Sequence, residues 1–352
     1  MMTSVDNRVR TGPLSPVRGF MCLLALLILV GCGNDSAPVR LQGKAIGTTY
    51  SIVAYGLPDG LDAQKMHQGV EQVVADVNVV MSLFKPDSEL SRFNKYDGAD
   101  WFPVSKELAG VVRTAKTISL LTGGAFDITV APLVNLWGFG PEKRPNKIPT
   151  AGQIKNAQAE IGADFVEVRI DPPALRKLKQ GISIDLAAIA KGYCVDAVSG
   201  WLKDKGVSDF MVEIGGEIRT AGTKPGDAPW LIGVEKPVAG GRSVQAVIEL
   251  NGKAMATSGD YRNYFEADGK RYSHIIDPVI GKPISHNLVS VSVVEDSCTM
   301  ADALVTGLMV LGPEQGINLA EKHKLSAFFI VRTEDGFAET ATGDFPQHKA
   351  MK

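Results

Sequence analysis

Ile182-Ser183-Ile184-Asp185-Leu186-Ala187-Ala188-Ile189-Ala190-Lys191-Gly192-Tyr193 passes within a dozen residues from a short β-rich run into a helix-like segment. The change of hydrophobic period predicts a strand that ends at an acid and a helix that follows. The same alternation extends outward. Phe165–Ile170, Phe210–Ile214, Trp230–Val234, Val244–Leu250, Leu288–Val294 and Ala327–Val331 are further β-rich runs, and helical segments lie near 187–204, 299–311 and 313–323. This is a mixed α/β pattern of the α+β kind. No fixed-period repeat, low-complexity block or Pro/Ser-rich linker divides it, so one integrated domain over 40–335 is expected, with 336–352 as a C-terminal tail.

Toward the N-terminus, Arg40 to Tyr55 is rich in Thr, Ile, Val and Tyr around a glycine and predicts a strand passing close to a neighbour. From Asp62 to Phe84, Met66, Val70, Val73, Val74, Val77, Val80 and Met81 recur at spacings of three and four, which predicts an amphipathic helix ended by Lys85-Pro86-Asp87. A second helix is expected after Ser105 as N-cap, stopping at Gly123-Gly124, and a third near Thr150.

The first twenty residues carry Arg8, Arg10 and Arg18 against one acid, Asp6, and precede an uncharged apolar run from Met21 to Val30. That order is a signal peptide. The run is about ten residues, short of the roughly 20 needed to span a bilayer. Leu29-Val30-Gly31-Cys32 resembles a lipobox, so residues 1–31 are expected to be removed, Cys32 lipidated and 32–39 left as a tether. Several acyl chains hold stably where one does not. The expected location is the periplasmic face of the inner membrane.

About 320 residues then remain, enough for one large domain. The 37 basic and 39 acidic residues nearly cancel, which argues against a nucleic-acid partner. Cys194 and Cys298 are the cysteines left in the body. Each lies in an apolar helix-like stretch and reads as packing, with a single bridge between them still open.

No Walker loop, dinucleotide fingerprint, nucleophile elbow or H-E-x-x-H is present. Four other clusters carry polar groups. Gly123-Gly124-Ala125-Phe126-Asp127 follows a helix end, where free amides and an aromatic suit a planar ligand, or where a cap simply precedes a core phenylalanine. Asp185 and Lys191 flank the strand-to-helix junction, and a lysine near a helix start binds phosphate or only faces solvent. His274 stands near Asp277-Pro278, as a general base or as a structural histidine. Asp302 and Thr306 lie at i and i+4 on one helical face. Both offer hard oxygens suited to Mg²⁺, unless the acid serves the helix dipole and the threonine bonds back into its own helix.

In this order the segments resemble the ApbE family of FAD:protein FMN transferases, from Gly43 to about Val331. The most specific pieces are Asp87 to Asn94, Gly124 to Trp137, Asp185 to Asp196, Gly215-Gly216-Glu217, Thr257 to Tyr264, His274 to Pro278 and Ala301 to Thr306. The resemblance implies a two-lobed domain with FAD between the lobes as substrate and Mg²⁺ at the pyrophosphate. A threonine of an acceptor protein attacks the FMN-side phosphorus and AMP leaves. It implies FAD contacts from Ile46, Phe84, Ala125, Phe126, Asp127, Asp185, Lys191 and Ile276, and metal ligands from the Ala188 carbonyl, Asp302 and Thr306. It also points to acceptors among subunits of membrane redox pumps. His274 is the expected base, with Asp277 as second choice. Ile46 stands where the family often has methionine, and Ala187 and Ala188 replace glycines. A hydrolase releasing free FMN and AMP, and a non-catalytic flavin-binding lipoprotein, are the competing readings. Threonine at 306, where a second carboxylate would favour hydrolysis, points to transfer.

Overall fold

The computed structural model describes residues 37–140, 148–237, 243–260, 264–267, 269–346 and 348–350. The expected signal peptide, Cys32 and the tether up to residue 36 lie outside them. Among the described residues no helix is long and apolar enough to cross a membrane.

Strands β1 (Val39–Ala45) and β2 (Thr48–Tyr55) form an antiparallel hairpin in which Ala45 opposes Thr48. The single strand expected over 40–55 is therefore two. Its turn is Ile46-Gly47, with φ of 39° and 83°. Two-residue hairpin turns usually show themselves as Asn-Gly, and isoleucine in the first place hides this one.

Helix α1 (Ala63–Met81) begins where the Asp62 carboxylate accepts the Lys65 N–H, and it buries Met66, Val70, Val74, Val77 and Met81. It stops three residues short of Phe84. Then come α2 (Glu89–Lys95), β3 (Phe102–Pro103) and α3 (Lys106–Leu121), the last started by the Ser105 hydroxyl accepting from Leu108 N. Next follow α4 (Ala131–Leu136) and α5 (Ala151–Ala159), which opens with a Thr150/Gln153 capping box. The hairpin β4 (Val166–Ile170) and β5 (Pro173–Lys177) precedes α6 (Ala190–Asp204). The second half runs β6 (Asp209–Ile214), β7 (Glu217–Ala221), β8 (Leu231–Glu235), β9 (Val244–Glu249), β10 (Ala254–Gly259), β11 (Tyr264–Ala267), β12 (Lys270–Ser273), β13 (Ile276–Asp277), β14 (Lys282–Pro283) and β15 (Leu288–Glu295). Helix α7 (Cys298–Lys322), β16 (Ser326–Thr333), β17 (Gly336–Thr342) and β18 (His348–Ala350) complete it.

Among the described residues the main sheet has eight strands in the order β1-β2-β6-β7-β10-β15-β16-β17, each neighbouring pair antiparallel. The fold is therefore α+β. Helices α1, α6 and α7 share the larger core with one face of this sheet, and strands β8 and β9 share a second core with the other. Strand β16 shows why: Ala327 and Phe329 enter the first core, Phe328 and Ile330 the second. Both faces are covered, so the strand reads as a continuous apolar run. A third cluster joins Leu133, Trp137 and Ile154 to Phe265 and Ile276.

Two further expectations are revised. Among the described residues Ile182–Ile184 pairs with no strand, and the Asn94 side chain takes the backbone of Ile184: Asn94 Nδ2 donates to Ile184 O at 2.8 Å and Ile184 N donates to Asn94 Oδ1 at 2.8 Å. Residues 336–342 and 348–350, read as tail, are paired strands, β17 on the edge of the main sheet and β18 beside β9. The helical readings 299–311 and 313–323 meet inside α7 at Gly312 (φ 77°, ψ −175°), just before Pro313. Cys194 and Cys298 are free and buried.

Candidate functional site

Helices α6 and α7 cross closely at Gly192, where a Cβ would lie 2.2 Å from the Cys298 carbonyl oxygen and 2.8 Å from Asp302 Cβ. Glycine is what lets the helices approach. The Gly192 N–H then donates to Asp302 Oδ2 at 2.9 Å, and Lys191 Nζ lies 3.3 Å from Asp302 Oδ1. The Gly215-Gly216 turn between β6 and β7, with φ of 63° and 105°, brings a third charge: Glu217 Oε1 is 2.7 Å from Lys191 Nζ. One turn along α7, the Thr306 hydroxyl donates to the Asp302 carbonyl at 3.1 Å. The back-bonding that helical spacing allows is therefore present, and Thr306 still borders the same cavity as Asp302.

That cavity measures about 1110 Å³, above the range of about 300–1,000 Å³ common for drug-sized ligands. Its wall is drawn from the start of β2, the loops after α1 and α3, the loop before α6, the β6–β7 turn, β10, the segment 274–278 and α7. Of the residues expected at the site, Phe84, Ala125, Phe126, Asp127, Asp185, Ala188, Lys191, His274, Ile276, Asp302 and Thr306 all border it.

Burial raises the Asp127 carboxyl above its usual range, against hydrogen bonds from Thr129 N (2.7 Å), Thr129 Oγ1 (2.6 Å) and Ala163 N (3.1 Å). Burial likewise raises Asp185, against a hydrogen bond accepted from Ala187 N at 2.8 Å. The Asp185 N–H donates to Ile128 O at 2.6 Å and so ties the loop before α6 to the loop after α3. The Asn94 clamp on Ile184 fixes the same loop from the side of α2. Phe126 is 2% exposed and packs in the main core, whereas Phe84 is 81% exposed at the rim. His274 borders the cavity with Phe139 edge-on at 6.4 Å.

Two expected residues are not brought to the wall. Ile46 sits in the β1–β2 turn, packed against the main core. The Asp277 carboxylate accepts from Val279 N at 2.8 Å and Ile280 N at 3.2 Å, which caps the turn into β14. An aspartate before Pro-Val-Ile-Gly is turn chemistry that the sequence already allowed.

The sequence assigns no role to Glu217. Burial and the nearby Asp302 push its carboxyl up to about 8, against the pull of Lys191. Burial alone would lower the Lys191 ammonium, but Asp302 and Glu217 raise it and keep it charged. Among the described residues Glu217 Oε2 is buried without a hydrogen-bond partner.

Among the described residues no cluster of three or more His, Cys, Asp and Glu side chains suits a metal. An ion here would draw on hydroxyl and carbonyl oxygens as well. The wall offers them, since Asp302, Thr306 and Ala188 are hard oxygen donors, and two buried carboxylates there share a single lysine. This donor set and the partnerless Glu217 oxygen fit Mg²⁺.

The sequence model described as "ApbE family" matches residues 46–329. An FAD:protein FMN transferase of Vibrio cholerae is 45% identical over 325 residues, spanning 92% of this chain and 97% of that one. Its counterpart in Haemophilus influenzae is 43% identical, over 94% and 96%. The solved structure of the flavin transferase ApbE from Vibrio cholerae superposes with a TM-score of 0.81 at 43% identity, covering 88% of this chain and 98% of that chain.

Proposed function

The chain belongs to the ApbE family, and from that membership we propose that it transfers FMN from FAD to a threonine hydroxyl of an acceptor protein, through a phosphoester bond and with Mg²⁺. The transfer of FMN from FAD to protein is the activity its relatives are named for. The observation that carries the finer reading is the convergence of Lys191, Asp302 and Thr306, from two helices, on one wall of a cavity that Asp127 and Asp185 also border.

In this reading the threonine oxygen forms a new bond to the FMN-side phosphorus, the bond from that phosphorus to the bridging oxygen breaks, and AMP departs with that oxygen. Lys191 holds a fixed positive charge beside the pyrophosphate. His274 takes the hydroxyl proton. Ala125, Phe126, Asp127, Asp185, Phe84 and Ile276 orient FAD. Mg²⁺ at Asp302, Thr306 and the Ala188 carbonyl would supply the charge neutralisation that phosphoryl transfer requires. Ile46 and Asp277 are left out, since neither borders the cavity.

Leu29 to Cys32 supports lipid anchoring at the periplasmic face of the inner membrane, close to acceptors such as subunits of membrane redox pumps. The test is mass spectrometry of a candidate acceptor domain coexpressed with this chain. An FMN-sized mass increase on threonine supports transfer. AMP and free FMN with no acceptor adduct would point to hydrolysis.

A further inference from the structure

Most buried polar side-chain atoms find a hydrogen-bond partner. Glu217, 3% exposed, satisfies one oxygen with Lys191 at 2.7 Å and leaves the other, Oε2, buried and without a partner among the described residues. Lys191 stands between two acids and lies nearer Glu217 than Asp302, which is at 3.3 Å. Backbone close approaches build this arrangement. Gly192 brings Asp302 against α6, and a Cβ on Gly215 would come within 3.2 Å of Lys191 Cδ, so that turn leaves room for the lysine stem.

We propose that Glu217 is a positioning residue that draws the Lys191 ammonium off Asp302 and so leaves the Asp302 carboxylate open to a divalent cation. The inference rests on Asp302 being a Mg²⁺ ligand. Without the Glu217 charge, Lys191 and Asp302 form a closed pair in a low-dielectric wall, and an incoming cation must displace the ammonium. With Glu217 in place, Lys191 keeps a partner when Asp302 turns to the metal.

A double-mutant cycle on Mg²⁺ binding separates this role from simple charge. Mg²⁺ is titrated by calorimetry at a pH above 8, where the Glu217 carboxyl is ionised, into the purified protein with FAD present and acceptor absent. Glu217→Gln is expected to weaken Mg²⁺ about tenfold or more in the wild-type background and about twofold or less beside Lys191→Met. Equal weakening in both backgrounds would overturn the proposal, because Glu217 would then act by charge without Lys191. No weakening in either would overturn it as well, leaving Glu217 a structural residue. Should Glu217→Gln fail to fold, Glu217→Asp keeps the charge but withdraws it by one methylene. Weakening that depends on Lys191 is again expected, and unchanged binding counts against the proposal. Asp302→Ala in the same titration separates the two claims. Mg²⁺ binding like wild type there would sink the metal reading and this inference together, whereas lost binding beside a flat Glu217 cycle would sink the inference alone.

Discussion

Strand β7 carries Glu217 and, two residues on, Arg219, and both reach charged partners on α6. The clusters they enter are built differently. Around Arg219, Asp196 accepts from Arg219 Nη1 (2.6 Å), Ser297 Oγ (2.8 Å), Cys298 N (3.0 Å), Thr299 N (2.9 Å) and Thr299 Oγ1 (2.8 Å). That carboxylate, sent from α6, completes the N-terminus of α7. Around Lys191, two acids share one lysine, an oxygen lacks a partner among the described residues, and the group borders a cavity. Saturation marks a cluster that holds the fold. The unsaturated cluster, a turn further along α7, is the one with capacity left for a ligand.

The contrast breaks most visibly at Asp196. Asp196→Ala strands Arg219 and two backbone N–H groups at a helix start, and should cost about 3–5 kcal/mol. The urea midpoint measures it, and a loss below about 1 kcal/mol would mean the cluster is ornamental to stability. Gly192→Ala comes next, because a Cβ 2.2 Å from the Cys298 carbonyl forces the helices apart. About 1–3 kcal/mol is expected from such overpacking, seen as a lower Tm together with a shifted Mg²⁺ dependence. Asn94→Ala leaves both backbone groups of Ile184 unpaired, with an expected cost of about 1–2 kcal/mol and a raised KM for FAD, since the loop carrying Asp185 loosens.

The smallest stability effect belongs to Glu217→Gln, and its sign should differ. The Glu217 carboxyl titrates at about 8 when folded against 4.5 as the ordinary value. The native state therefore holds this proton more tightly, and without metal the wild type should lose stability as pH rises from about 4.5 to about 8. Glu217→Gln removes that loss, so its Tm should equal or exceed that of wild type at neutral pH. A lower Tm across this window would place Glu217 with Asp196 as a structural acid.

Local chemistry in the sequence carried much of the fold. Ser105 and Thr150 cap the helices expected after them, and the run at Ala327–Val331 lies in β16, a strand paired on both sides. What escaped depends on distant partners. Ile182–Ile184 has strand composition, but its backbone is taken by Asn94, ninety positions away. The hairpin at Ile46-Gly47 lacks the usual turn residue, so the composition from Arg40 to Tyr55 reads as one strand where two exist. At the site, helical spacing alone put Asp302 and Thr306 on one face. The pairing of Lys191 with Glu217 needed the β6–β7 turn, and no spacing rule in the sequence predicts it.

The most direct test of the unsaturated cluster as the transfer site compares Asp302→Ala with wild type across a Mg²⁺ titration, reading AMP release and flavinylated acceptor together. Asp302 contributes the only formal negative charge among the proposed metal ligands. Transfer should therefore fall steeply and its Mg²⁺ dependence move to higher concentration, while the protein stays folded. Wild-type transfer with the same Mg²⁺ dependence would contradict the account.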